Sequence, residues 1–381
     1  MLTCPAARLR DHFQTVVDPR VDRTKRHELL DIIALPLCAV LGGADNWVEI
    51  AQFGRDKRAW LRTFLALPNG MPSHDTFGRV FAALDPAQFE QGFRSWVAGV
   101  AHLTAGAVVA SDGKCLRGSH DAAHGQGRLT LVSAWARTHR LTLGQVQVDA
   151  ASNEIPAIPE LLKQLALKGC IVTIAAIGCQ TAIAQQIIKQ EADYVLALKD
   201  NQETLFDEVK RLFREERPRD FAGLSHDRDR TVGKDHGRLE LRRTWTVSDP
   251  AVRADLNPKE RWPNLRSVGM VEAERRIGAT TETETRYYIS SLPGDAAQFG
   301  DAVRGHWSIE NSLHWVLDIV FREDHSRVRQ GHAAQNLAVV RRLARNLLRQ
   351  ADTAKVGVKV KRLKAAWSTE YLGKVLAHLA T

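Results

Sequence analysis

Residues 170–198 read CIVTIAAIGCQTAIAQQIIKQEADYVLAL, and this stretch decides the fold class. Cys170–Ile177 is a short, continuous apolar run, the signature of a buried strand. Thr181–Gln190 follows as a helix and Tyr194–Leu198 as another strand. Asn201–Arg214 reads as a helix again. Upstream, Gly106–Ser111 is a short apolar strand that ends at Asp112. Leu129–Arg137 and Leu141–Val148 are two more, and the tight Thr138-His139-Arg140 turn between them argues an antiparallel hairpin. Ile158–Leu167 is a helix. The order is βββαβαβα, which predicts a mixed sheet covered by helices.

The flanks differ from this core. Residues 1–100 read as a mostly helical domain, with apolar residues at helical spacing over Leu29–Phe53 and Trp60–Leu67. A turn follows at Pro68-Asn69-Gly70, and Ser73 is placed to cap the next helix. A DNA-contacting module and a plain packing domain fit this region equally well. The first part of the core spans 101–216. Residues 217–295 break the alternation with Arg217-Pro218-Arg219-Asp220 and His226-Asp227-Arg228-Asp229-Arg230. Strands then appear at Leu239–Val247, Ser267–Arg275 and Thr285–Ser291, so the segment reads as a β-rich insertion. Residues 296–350 return to helix and complete the core. Residues 351–381 read as a basic helical tail.

The chain has 381 residues, 44% hydrophobic and 25% charged, which suits a globular protein of two or three domains. Its five cysteines form no CxxC pair and no metal-type spacing, and a reducing compartment, the cytoplasm, is the simplest expectation. The N-terminus lacks the order of a signal peptide. The most apolar stretch, Leu29–Ala44, contains Asp31 and Pro36 and is shorter than the ~20 residues of a membrane span, so it reads as buried helix. Lys plus Arg number 53 against 44 acids, a net charge of +9. From Arg341 onward ten basic residues face only Asp352 and Glu370. Such an excess suits a polyanion such as DNA, and equally a solvated amphipathic helix.

The βββαβαβα order is that of the RNase H-like fold. There, one carboxylate sits on the first strand, one on or after the fourth strand and one on a late helix. Hard oxygen ligands suit Mg²⁺, and two such ions about 3.5–4 Å apart can serve in-line phosphoryl transfer. Asp112 occupies the first position. Glu310, in the helix-like Arg304-Gly305-His306-Trp307-Ser308-Ile309-Glu310-Asn311, occupies the last. The second position holds Ala175.

Several stretches together carry a family resemblance: Asn69–Phe77 (NGMPSHDTF), Ser111–Ser119 (SDGKCLRGS), Leu131–Trp135 (LVSAW), Ser152–Pro159 (SNEIPAIP), Gly178–Gln180 (GCQ), Asp193–Gln202 (DYVLALKDNQ), His236–Arg238 (HGR) and His306–Trp315 (HWSIENSLHW). In this order, over nearly the whole chain, they resemble the DDE transposases of the ISAs-type insertion sequences, the group that includes H-repeat-associated proteins. The resemblance implies cleavage and strand transfer of DNA at the ends of a mobile element. It implies Asp112 and Glu310 as ligands for Mg²⁺ or Mn²⁺. It implies a homodimer on paired ends, in a bacterial cytoplasm and at the nucleoid when bound to DNA. The family reads Ile-Asp-Ala-Met-Gly-Cys-Gln at its second ligand, where this chain reads Ile174-Ala175-Ala176-Ile177-Gly178-Cys179-Gln180. Alanine coordinates no cation, so catalysis is expected to be strongly reduced or absent. A non-catalytic DNA-binding protein derived from a transposase is the alternative. Asp149 and Glu154 are the substitutes to consider at the missing position, with Glu154 reading more as a supporting residue.

Other residues are candidates for DNA contact. Lys114 and Arg117 follow the first acid, placed to clamp a phosphate. His306 and His314 lie four residues to either side of Glu310, for phosphate contact or support of the site, or as buried packing. Asn311 is placed to orient Glu310, and His236 and Arg238 to touch DNA ends. Arg341, Arg342, Arg345 and Arg349 recur at helical spacing, suited to tracking a phosphate backbone. Trp307 and Trp315 read as core. Asp318, Glu323 and Asp324 read as pairing with Arg322 and Arg327.

Overall fold

The computed structural model describes residues 5–121, 127–235, 238–278, 280–352 and 354–380. Helices come first: α1 (Pro5–Phe13), α2 (Leu29–Leu41), α3 (Trp47–Asp56), α4 (Arg58–Leu61), α5 (His74–Ala83) and α6 (Pro86–Val100). Their starts are set by side chains that accept from otherwise orphaned backbone N–H groups. Asn46 accepts from Glu49, Ser73 from Thr76, and Asp85 from Ala87 and Gln88. α2 is buried on nearly every side. Its Asp31 is tolerated there because the carboxylate accepts the Leu67 N–H at 2.8 Å.

The central alternation follows as β1 (Val108–Leu116), β2 (Leu129–Ala136), β3 (Leu141–Gln147), α7 (Glu154–Lys163), β4 (Ile171–Ile174), α8 (Thr181–Lys189), β5 (Asp193–Leu198) and α9 (Glu203–Glu216). Several boundaries differ from the sequence reading. β1 runs on to Leu116, five residues past Ser111, because it stays paired with β2, so Asp112 lies inside the strand opposite Ser133. α7 begins at Glu154, four residues before Ile158, because the Asn153 side chain accepts from Ile155 and Pro156 sits harmlessly in the first turn. β4 stops at Ile174, three residues before Ile177, because Ala176–Gly178 curl into a 3₁₀ turn.

The insertion contributes β6 (His226–Asp235), β7 (Arg238–Val247), α10 (Pro250–Leu256), β8 (Ser267–Ile277) and β9 (Thr280–Ser290). β6 has no counterpart in the sequence reading, where its Asp/Arg alternation appears as a break. It pairs with β7 from His226 to Asp235, and its charged side chains suit an edge strand that must not recruit another chain. The described strands form one mixed sheet in the order β3-β2-β1-β4-β5-β9-β8-β7-β6. β1, β4 and β5 run parallel, and the remaining pairs are antiparallel. The insertion therefore extends the central sheet, because β9 pairs with β5.

The chain ends in α11 (Ala296–His306), a π-turn (Glu310–His314), α12 (Trp315–Ile319), α13 (Ala333–Gln350), α14 (Val358–Trp367) and α15 (Thr369–Leu376). α13 packs against α2, α5, α6 and β3 and is buried along nearly its whole length. This corrects the expectation for its arginines. Arg341 and Arg345 are 1% and 2% exposed, too deep to track a phosphate backbone. Arg341 donates to the Asp45 carbonyl at 3.1 Å. Arg345 donates to the carbonyls of Arg140 and Ser312 and stacks 4.3 Å over Trp135. Arg342 pairs with the buried Glu323 at 3.0 Å. The C-terminal residues are likewise no loose tail, since Arg362 is buried and bridges Val40, Ala44, Asp45 and Val320. No helix among the described residues is long and apolar enough to cross a membrane.

Removing one partner of a buried pair strands the other charge. Glu323→Ala should therefore destabilise the fold by about 3–5 kcal/mol. Glu323→Ala combined with Arg342→Met should recover most of that loss, read as the shift of the urea unfolding midpoint.

Candidate active site

The parallel ladder between β1 and β4 runs Val108↔Ile171, Val109↔Val172, Ala110↔Thr173 and Ser111↔Ile174. One step further, Ala175 leaves β4 beside Asp112, which lies within β1 and stays paired with Ser133 of β2. Alternation puts both on the face that carries Thr173 and Lys114. α11 covers this face, its Phe299, Ala302 and Val303 packing with Val108 and Ile171. Polar contacts help set its position: His306 Nδ1 lies 3.2 Å from Thr173 Oγ1, Arg137 donates to the Asp301 carbonyl at 2.9 Å, and just past the helix Trp135 Nε1 donates to Ser308 Oγ at 3.0 Å. Just beyond, the π-turn brings Glu310 to the Asp112 end of the sheet and buries His314, whose Nδ1 is 3.5 Å from Asp112 Oδ2. Such wide turns recur at functional sites.

Burial, with the nearby charges of Glu310 and Glu154, outweighs the Gly113 N–H and pushes the Asp112 carboxyl up to about 6. Glu154 reaches this neighbourhood from the first turn of α7. A Cβ on Gly113 would stand 2.7 Å from Glu154 Oε1, so only glycine lets the two segments approach so closely. The sequence names Glu154 as a candidate supporting residue of the site, but its approach past Gly113 is set by the packing of α7 on the sheet. Burial, then Arg342 and Lys114, pulls the His314 imidazole down to about 3, and burial takes His306 down to about 4. Both rings are neutral near pH 7; His314 is buried and His306 partly so.

Lys114 is not placed to clamp a phosphate. It is buried, 2.8 Å from both Asp318 and Asp324 and 3.8 Å from Glu323. Burial opposes its charge, yet these carboxylates outweigh it and hold the ammonium above its usual value. The acidic run is thus committed to Lys114 and Arg342, in place of the expected Arg322 and Arg327. Arg117 is 82% exposed, tied to Asp324 through its backbone N–H and by a 3.4 Å ion pair. Asn311 is exposed and donates to the Trp307 carbonyl at 3.3 Å. Trp315 is 58% exposed, so it is not a core residue. Arg238 opens β7 opposite Asp235 and Ile277, and His236 lies outside the described residues.

The turn after Ala175 is held by the Asp193–Gln202 motif. Asn201 donates to the Ala176 carbonyl at 2.7 Å and Gln202 to the Cys179 carbonyl at 3.0 Å. Ala175 itself lines a cavity of about 350 Å³ beside His306 and Trp307, where Arg286 stacks 4.0 Å over the Trp307 ring. Asp149 caps its own turn by accepting from Ala151. Among the described residues, no group of three His, Cys, Asp or Glu is arranged to hold a metal ion.

Residues 104–347 match the family described as the Transposase DDE domain, and residues 10–97 match its associated family, DDE_Tnp_1-associated. The chain belongs to the DDE transposases. It is 40% identical over 373 residues to "Putative transposase YncI" of Escherichia coli O157:H7, covering 97% of this chain and 94% of that one. It is 37% identical over 375 residues to "H repeat-associated putative transposase YhhI" of Escherichia coli K12, covering 97% of this chain and 98% of that one. This places the transposase in the H-repeat group. The family boundary near residue 100 falls between α6 and β1, where helix gives way to sheet.

Because the folded pKa of Asp112 lies above its unfolded value, the folded state holds the extra proton between about pH 4 and pH 6. Stability should fall as pH rises through that window and stay lower above it. Asp112→Asn removes the titration. In chelator it should raise stability by on the order of 1–3 kcal/mol at pH 7.5, a gain that fades near pH 4 in melting curves.

Proposed function

We propose that this chain is a DDE-type transposase with an RNase H-like core, directed to insertion-sequence DNA ends, whose strand cleavage is impaired by Ala175. The strand order β3-β2-β1-β4-β5, with β1, β4 and β5 parallel, supports the core assignment. One observation carries the reading of the site: the β1–β4 register that sets Ala175 beside Asp112 while Glu310 acts on the same carboxyl. Any third carboxylate of the family's set belongs at this strand end, and here it is a methyl group.

The residues present do not fit a pair of divalent cations. Asp112 and Glu310 offer two carboxylates, Lys114 has claimed the acids of the following segment, and Glu154 approaches from the opposite face of the sheet past Gly113. What the chain retains is the framework: His314 orienting Asp112, Thr173 and His306 fixing α11, and Asn201 and Gln202 shaping the turn at Ala175. The same observation favours a second reading, a DNA-binding protein that has left catalysis behind. Engaging paired element ends calls for two copies, so both readings carry a homodimer.

Ala175→Asp should separate the readings. Loss of a direct ligand costs at least the ~100-fold known for supporting residues, so the variant should bind Mn²⁺ at least that much more tightly in calorimetry. It should nick duplexes carrying the element ends where the parent chain does not. Equal nicking by both proteins would sink the assignment of position 175. Tighter Mn²⁺ binding without nicking, with DNA binding intact, would leave the non-catalytic reading.

A further inference from the structure

A second feature lies outside this site. A cleft of about 920 Å³ separates the N-terminal ends of α3 and α5 from the segment Arg327–Gln330. Its floor is Trp47, packed on Phe81 with ring centroids 5.0 Å apart, with Gly78 beside it. Arg79 and Arg327 stand exposed on its walls. Among the described residues neither is ion-paired; Asp121 pairs with Arg329 at 4.0 Å, and Asp75 lies 3.4 Å from His74, whose ring is charged only when protonated, so three arginines line the cleft against two acids. Two helix N-termini add partial positive charge on one wall.

The walls are braced. Gly331 has φ +49°, and a Cβ there would stand 2.5 Å from the Ala82 carbonyl. His332 N–H donates to that carbonyl at 3.0 Å, and Asn336 donates to the carbonyls of Phe81 and Leu84, so the Arg327 segment is tied to the end of α5. Arg329 Nε donates to the Gly118 carbonyl at 3.0 Å, which ties the same segment to the turn leaving β1. Asp112 lies four residues back from the end of that strand, roughly 13 Å at ~3.3 Å per residue. The end of β1, to which the cleft wall is tied, thus lies about four phosphate spacings (~3.4 Å each) from Asp112.

We infer that this cleft is a binding site for the phosphate backbone of double-stranded DNA, with Arg79 and Arg327 as its contacts. The inference rests on the reading that the chain acts on DNA. Exposed arginines on an open cleft hold a small ligand weakly, because each contact competes with water. Along a polyanion such contacts add up, since each displaces a condensed counterion. The feature is thus built for a backbone and not for a metabolite.

The test measures binding of a fluorescein-labelled mixed-sequence duplex to the full chain over a salt series. Arg79→Ala and Arg327→Ala should each lower the slope of log K against log salt by about 0.9, and affinity roughly tenfold near 0.1 M salt. Gly78→Gln leaves the charge unchanged. A Cβ at Gly78 meets only Trp47, at 3.5 Å, so the longer side chain can enter the cleft and should weaken binding without lowering the melting temperature, since Gly78 lies inside α5. Arg211→Ala, on the exposed side of α9, removes the same charge elsewhere and should have little effect. If the duplex binds but the cleft variants behave like Arg211→Ala, the inference is overturned and the DNA reading stands. If the parent chain binds no duplex at any salt, the DNA reading falls and takes the cleft with it.

Discussion

Four guanidinium groups inside the protein hold its parts together. Arg341, Arg342, Arg345 and Arg362 are buried, and each donates to a backbone carbonyl or a buried carboxylate, although Nε and Nη2 of Arg342 and Nε of Arg345 make no hydrogen bond. Those carbonyls belong to different parts of the chain: the end of α2 and the turn before α3, the β2–β3 turn, the π-turn and the end of α12. Leaving a guanidinium in an apolar interior without partners is costly, so each of these segments is favoured where the donors reach it. α13 supplies three of the four and acts as the axle between the N-terminal helices and the sheet.

The site inherits its geometry from this arrangement. Arg345 holds the Ser312 carbonyl within the π-turn while stacking on Trp135, whose own N–H is taken by Ser308. Glu310 lies between those two anchors. Asp112 is positioned independently, by the β1–β4 ladder, so the two carboxylates meet only because helix and sheet are locked together. Asn346 extends the lock to the sheet edge, where its amide accepts from and donates to the Thr142 backbone at 3.0 and 2.9 Å, and Glu90 accepts the Gln145 N–H. Helices thereby cover β3, while β6 at the other edge relies on charge.

Within that frame the alanine at 175 is a local change. Its turn is shaped by Asn201 and Gln202 through backbone carbonyls, contacts that do not depend on the side chain at 175. The scaffold can thus keep the same form with a methyl group or a carboxylate at 175. A carboxylate there would add negative charge beside Asp112, which already sits in a crowded acidic corner with Glu310 and Glu154.

Much was legible in the chain itself. Local periodicity carries strand and helix identity, so the alternation from β1 to α9 and the Ser73 cap could be read directly. So could the family, because its motifs lie in contiguous stretches. Charge, by contrast, misleads when it is read without depth: Arg341, Arg345 and Lys114 look like phosphate contacts in one dimension, and partners more than thirty residues away turn them inward. β6 was lost for the related reason that an edge strand paired on one side needs no apolar face. The approach of Glu154 to Gly113, the commitment of Asp318 and Asp324 to Lys114, and the cleft joining α3 and α5 to Arg327 are all long-range. They depend on how surfaces pack, and a linear pattern contains no distances between segments.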